Sequence, residues 1–221
     1  ATSALASGTN SLTLSTYGAV AVDAITSGAL AITGNGITLN GNITTSGTQT
    51  YTGAITLGNS ITLTSNNNTV TFSGSGSTIN GAKDFTVNAG SGAISFGGVV
   101  GGTSVLSSLS LTTSHATGIT ISGNITTTGS QTYSGNVTLA ATPITLTTTN
   151  SDVSFGGTLN GNAASRALTI AAGTGAVTFT GAVGGSTALG ATAITAATTT
   201  ISSTFAGSST LGITGNAVIN G

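Results

Sequence analysis

The sequence predicts an all-β protein, a parallel β-solenoid of roughly nine to eleven coils with no helices of note. Three observations carry the solenoid expectation. Apolar–x–apolar triplets recur at a near-constant step, a larger pattern of several triplets appears twice, and the chain is almost without charge.

Of 221 residues, five are charged: Lys83, Arg166, Asp23, Asp84 and Asp152. A typical domain of this length carries about fifty. Thr (48), Gly (35), Ser (29) and Asn (17) together fill 129 positions, while Cys, Met, Trp and Glu are absent and Pro occurs only at Pro143. Of the good helix formers only Ala is abundant, and Thr, Ser, Asn and Gly weaken helices, so a helical protein is excluded. Disorder is the next class to consider, but disordered chains pair low hydrophobicity with high net charge. This chain is 38% hydrophobic, with mean hydropathy +0.42 and a net charge of −1.

The same counts narrow function. A net charge near zero gives no electrostatic footprint for nucleic acid. No apolar run approaches the length that spans a membrane as a helix, and the few Tyr and Phe cannot supply the girdles of a membrane barrel. The N-terminus lacks a signal-peptide pattern, and the chain reads as an interior piece of something longer.

The long repeat is read by direct alignment. Positions 41–57, GNITTSGTQTYTGAITL, match 123–139, GNITTTGSQTYSGNVTL, at an offset of 82. The offset becomes 83 after Pro143: ITLTSNNNTVTFSG at 61–74 matches ITLTTTNSDVSFGG at 144–157, and positions 85–102 match 168–185. The segment around Ile79 and Leu159 slips to an offset of 80. The expected organisation is one continuous solenoid. Residues 1–40 close a preceding unit, 41–122 and 123–205 are two full units, and 206–221 open a divergent third.

Within a unit, triplets such as Ile61/Leu63, Val70/Phe72 and Ile94/Phe96 alternate at period 2, the strand signal. Their central residues are mostly Thr or Ser, so one face is apolar and the other hydroxylated. Asn-Gly pairs at 35–36, 40–41, 80–81 and 160–161 read as turns. The triplet centres give the coil length. Thr62, Thr86 and Ser110 step by 24, Thr71, Ser95 and Thr120 by 24 and 25, and Thr145/Thr169 and Ser154/Thr178 by 24. The interval from Ser110 to Thr145 does not fit this step. It reads as one long coil or two compact ones, which leaves three or four coils per unit.

A short strand cannot bury its apolar side alone, but stacked on its copy it forms a parallel ladder with a spacing of about 4.8 Å. In-register stacking of like charges is destabilising, which gives a physical reason for their scarcity. Thr, Ser and Asn can hydrogen-bond along the stack instead. Lys83 and Arg166 align when the two units are superposed at the second offset. They are expected on one side of the rod, in loops. Open solenoid ends imply partners, either neighbouring repeats of a longer chain or identical chains stacked end to end.

No catalytic, metal or cofactor set emerges, and no enzyme is expected. His115 is the only His, so a metal site would lack ligands and a turn role is expected. The three Asp residues do not form the carboxylate pair that glycosidases need. Asp84 is placed to pair with Lys83, and Asp23 and Asp152 read as turn residues. Sequons at Asn42, Asn67, Asn124 and Asn136 are expected by chance in so Thr-rich a chain. Candidate surface contacts are Tyr51 and Tyr133 of the QTY elements, with Lys83 and Arg166. Repeat-boundary packing is the leading role for the two tyrosines and a solvated loop for the two cations. Glycans or sister fibres are the partners such contacts would serve. Thr-x-Thr pairs raise ice binding as a further alternative, although they look scattered over several faces and mixed with Ser.

GNITTTGSQTYSGNVTL, VSFGGTLNG, LTIAAGTGAVTFTGAVGGSTAL and SFGGVVGGTSVLSSLSL look like the repeats of very large bacterial surface proteins. These are the filamentous-haemagglutinin-like adhesins and autotransporter passenger domains. The resemblance covers residues 12–200. It implies the right hand of the parallel β-helix, export to the cell surface, and a role in adhesion, biofilm or filament building.

Overall fold

In the computed structural model, which describes residues 5–220, every regular element is a strand, and the strands pair in parallel. Each coil contributes a strand position to three faces in turn. On the first face, Leu5, Ile25, Ile43, Leu63, Val87, Leu111, Tyr133, Phe155, Phe179, Ile201 and Ile219 pair successively in one column. Eleven members define ten turns, within the expected count. The second face runs from Leu14 through Ile32, Tyr51, Phe72, Phe96, Ile121 and Leu139 to Gly161. The third runs from Val20 through Ile37, Ile55, Ile79, Val100, Ile125, Leu146, Ile170 and Ile194 to Ile213.

The triplet chemistry sets which side is buried. In Ile61–Thr64 the side chains of Ile61 and Leu63 are buried and Thr62 is half-buried, and Val70–Phe72 and Ile94–Phe96 repeat the pattern. The inward residues form one continuous core. Each buried Val, Ile, Leu or Phe contributes about 1.5–3 kcal/mol against the entropy of ordering its coil. The constant sequence steps join real neighbours: Thr62 pairs with Thr86 and Thr86 with Ser110, Thr71 with Ser95 and Ser95 with Thr120, Thr145 with Thr169, and Ser154 with Thr178.

The long repeat and the coil are out of phase. Tyr51 lies on the second face, but its counterpart Tyr133 lies on the first. Ile79 and Phe85 occupy the third and first faces, while Leu159 and Leu168 occupy the second and third. From Tyr51 to Tyr133 the chain makes eleven strand-to-strand steps, and with three faces per turn that is three and two-thirds turns. Each unit is therefore rotated back by one face relative to the last. This resolves the interval from Ser110 to Thr145. It is neither one long coil nor two short ones, because the two residues lie on different faces. The Ser110 column continues through Thr132 to Ser154. The phase lag also overturns the expectation that Lys83 and Arg166 share a side. Lys83 precedes Phe85 on the first face, and Arg166 precedes Leu168 on the third.

Not every Asn-Gly pair is a turn. Asn35-Gly36 lies inside the strand Leu30–Leu39, which passes from the second face to the third with a register shift between Thr33 and Gly36. At such a corner the backbones of adjacent coils approach closely. Gly53 has φ +130°, and a Cβ there would overlap the carbonyl oxygen of Gly34.

Candidate functional surface

The QTY elements are not surface contacts. Tyr51 and Tyr133 are fully buried (0% exposed), because strand alternation points them inward. The Tyr133 hydroxyl donates to Gln131 Oε1 at 2.8 Å, and Gln131 Nε2 donates to the Thr147 carbonyl at 2.9 Å and to Thr127 Oγ1 at 3.3 Å. The first unit repeats this plug: Tyr51 donates to Gln49 Oε1 at 2.8 Å, and Gln49 Nε2 donates to the Thr64 carbonyl at 2.9 Å and to Thr45 Oγ1 at 3.2 Å. A buried amide is tolerated in an apolar core because its oxygen and both its hydrogens are engaged. Burial raises the pKa of both phenols by penalising the phenolate.

Each tyrosine also starts a ring stack. Tyr51, Phe72 and Phe96 stack with centroids 5.2 and 4.9 Å apart on the second face. Tyr133, Phe155 and Phe179 do the same on the first face at 4.9 and 5.1 Å. The strand spacing matches the stacking distance of aromatic rings, so coil geometry and ring attraction agree.

The polar surface is tied along the axis by side chains. Asn42 Oδ1 accepts the amide of Thr62, Asn124 Oδ1 that of Thr145, Asn150 Oδ1 that of Thr174, and Asp152 Oδ1 that of Ala176. Asn136 spans three coils: Nδ2 donates to the Ala116 carbonyl at 3.0 Å, and Oδ1 accepts the Thr158 amide at 3.0 Å. Asp84 is held the same way rather than by Lys83. Ser60 Oγ donates to one carboxylate oxygen at 3.2 Å and Ser108 Oγ to the other at 2.7 Å. A single carboxylate between serine hydroxyls avoids the like-charge stacking that excludes most charge. Arg166 is not in the expected loop but opens the strand Arg166–Ala171, paired with Leu189, and its Nε donates to Asn162 Oδ1 at 2.8 Å. His115 closes a turn: its Nδ1 accepts the Thr117 amide at 3.2 Å, which places the proton of the neutral ring on Nε2. Among the described residues no three His, Cys, Asp or Glu side chains cluster.

One outward hydroxyl column is more continuous than the sequence implies. Thr62, Thr86, Ser110, Thr132, Ser154, Thr178 and Thr200 pair in order along the first face. Sequence spacing hides it for two reasons. The steps Ser110–Thr132, Thr132–Ser154 and Thr178–Thr200 are shorter than the rest, and the column crosses the unit boundary.

Sequence reasoning also missed a groove of about 630 Å³ at the corner between the second and third faces. Four successive coils build it, and Tyr17 on its wall is fully exposed (100%). The signal that could have found it is corner length. Five residues separate Leu14 from Val20 and six separate Phe72 from Ile79, against four and three in the two coils between.

No protein-family model, curated protein or solved structure matches this chain.

Proposed function

We propose that the chain is a structural shaft segment of a secreted bacterial cell-surface fibre or adhesin. The observation that supports this most is the unbroken first-face column from Leu5 to Ile219, which makes a rod about 48 Å long at the parallel-strand spacing. Paired strands, ring stacks and axial Asn bonds all run along one direction, so load along the rod is shared by many parallel bonds. The work of such an element is to hold something at a distance and to resist proteolysis. The test combines location with resistance. On intact producing cells the chain is expected to be reached by an external antibody and to survive proteinase K as a folded core. Recovery only from the cytoplasmic fraction, or rapid degradation of the purified rod, overturns the proposal.

A second reading, ice binding, is favoured by the seven-coil hydroxyl column on the first face. A thermal-hysteresis assay decides it: activity lost on replacing Thr86, Thr132 and Thr178 with Leu supports it, and no hysteresis in the parent chain removes it.

A further inference from the structure

We propose that the groove between the second and third faces is a binding site for a neutral pyranose oligosaccharide, with Tyr17 as its stacking platform. Its floor is formed by the tight corners at residues 33–35 and 52–53, where Gly34 and Gly53 keep the surface low. Its walls are the longer corners at 15–19 and 73–78, three coils apart, or about 14 Å at the strand spacing.

The backbone of both walls is held before any ligand arrives. Asn35 Nδ2 donates to the Tyr17 carbonyl at 2.6 Å, and the Gly18 amide donates to Thr16 Oγ1 at 3.1 Å. Across the groove, Ser77 Oγ donates to the Ser73 carbonyl at 2.6 Å and accepts the Gly53 amide at 3.0 Å. Preorganisation lowers the ordering cost of binding. The far wall is a local elaboration, since the corresponding corner between Phe155 and Leu159 is half as long.

The lining selects the ligand class. The hydroxyls of Ser15, Thr33, Thr52, Ser73 and Ser75 line the groove and make no hydrogen bond among the described residues, so they remain as donors and acceptors. No charged side chain lines it, which disfavours uronate or sialylated glycans. Tyr17 sets the orientation. The other two tyrosines are buried, whereas Tyr17 offers its ring to solvent beside a row of hydroxyls. An aromatic face against the C–H face of a sugar, with polar groups around it, is how a small concave site holds a neutral sugar.

The experiment is an array of neutral and acidic glycans, followed by calorimetry with the strongest neutral oligosaccharide it yields. Tyr17→Ala is expected to weaken binding about tenfold or more, and Tyr17→Phe to retain it within about threefold. Thr52→Trp, which fills the floor, is expected to abolish it. Tyr17 is exposed, so circular dichroism and melting of Tyr17→Ala are expected to match the parent. Binding of no neutral glycan, preference for acidic ones, or undiminished binding by Tyr17→Ala overturns the site. None of these outcomes bears on the shaft reading, which rests on location and protease resistance.

Discussion

Replacing Tyr133 with Phe removes one oxygen and no other heavy atom, which makes it a clean test of the buried plug. The ring keeps its stack on Phe155, but Gln131 Oε1 loses its only side-chain donor in a dry interior. An acceptor left unpaired in the core costs about 1–3 kcal/mol. Gln131→Leu strands the Tyr133 hydroxyl, while the Thr147 carbonyl keeps the Thr127 amide at 2.9 Å, and is expected to cost about 1–3 kcal/mol. The double variant removes both ends of the 2.8 Å bond, so its cost should fall short of the sum by about 1–2 kcal/mol. Urea unfolding with a shared m-value measures all three. Solenoids can lose cooperativity, so coincidence of circular dichroism and fluorescence transitions is checked first. Tyr51→Phe in the first unit serves as an internal replicate on another face. Additive costs, or a Tyr133→Phe variant within about 0.3 kcal/mol of the parent, would refute the plug as a coupled unit.

Thr199 points inward in the column beside Val177, and its buried hydroxyl has no partner among the described residues. Thr199→Val is expected to stabilise the chain by about 1 kcal/mol in the same urea assay. Burial holds the phenols of Tyr51 and Tyr133 above the ordinary value of 10.0. Their contribution is therefore complete below pH 10 and lost as pH rises from there toward the folded values. Absorbance titration at alkaline pH should show two of the three phenols withheld until the chain unfolds. Gly53→Ala puts a Cβ onto the Gly34 carbonyl at positive φ and should cost more than about 1 kcal/mol. Gly76→Ala, with open space around it, should be nearly neutral in a thermal melt.

Much of this fold is legible because strand chemistry is local. Ile61-Thr62-Leu63 states its own alternation, and its copies at Phe85 and Leu109 fix the coil length without any knowledge of the third dimension. What stays hidden is the phase between unit and turn. Tyr51 and Tyr133 align in sequence, yet nothing in the sequence counts eleven strand steps, because some strands are as short as Ile125–Thr126. The same hidden phase carries Lys83 and Arg166 to different sides. A surface role for the tyrosines fails for another reason. QTY puts a polar residue two before an aromatic, and only the closed bonds of Gln49 and Gln131 reveal that both point inward. The groove at Tyr17 leaves little trace in the sequence because it is made by corners of unequal length, not by any residue type in a pattern.

The one-face lag between successive units has a consequence for any array that repeats them. Such a rod has the symmetry of a screw thread rather than of a ruler. Whatever one unit displays reappears about 18 Å further along at a new compass bearing, and the original bearing returns only after eleven turns, about 53 Å. A thread of this kind has no belly or back. It bends with equal reluctance in every direction, and laid on a flat surface it touches down with every third unit whichever way it has rolled.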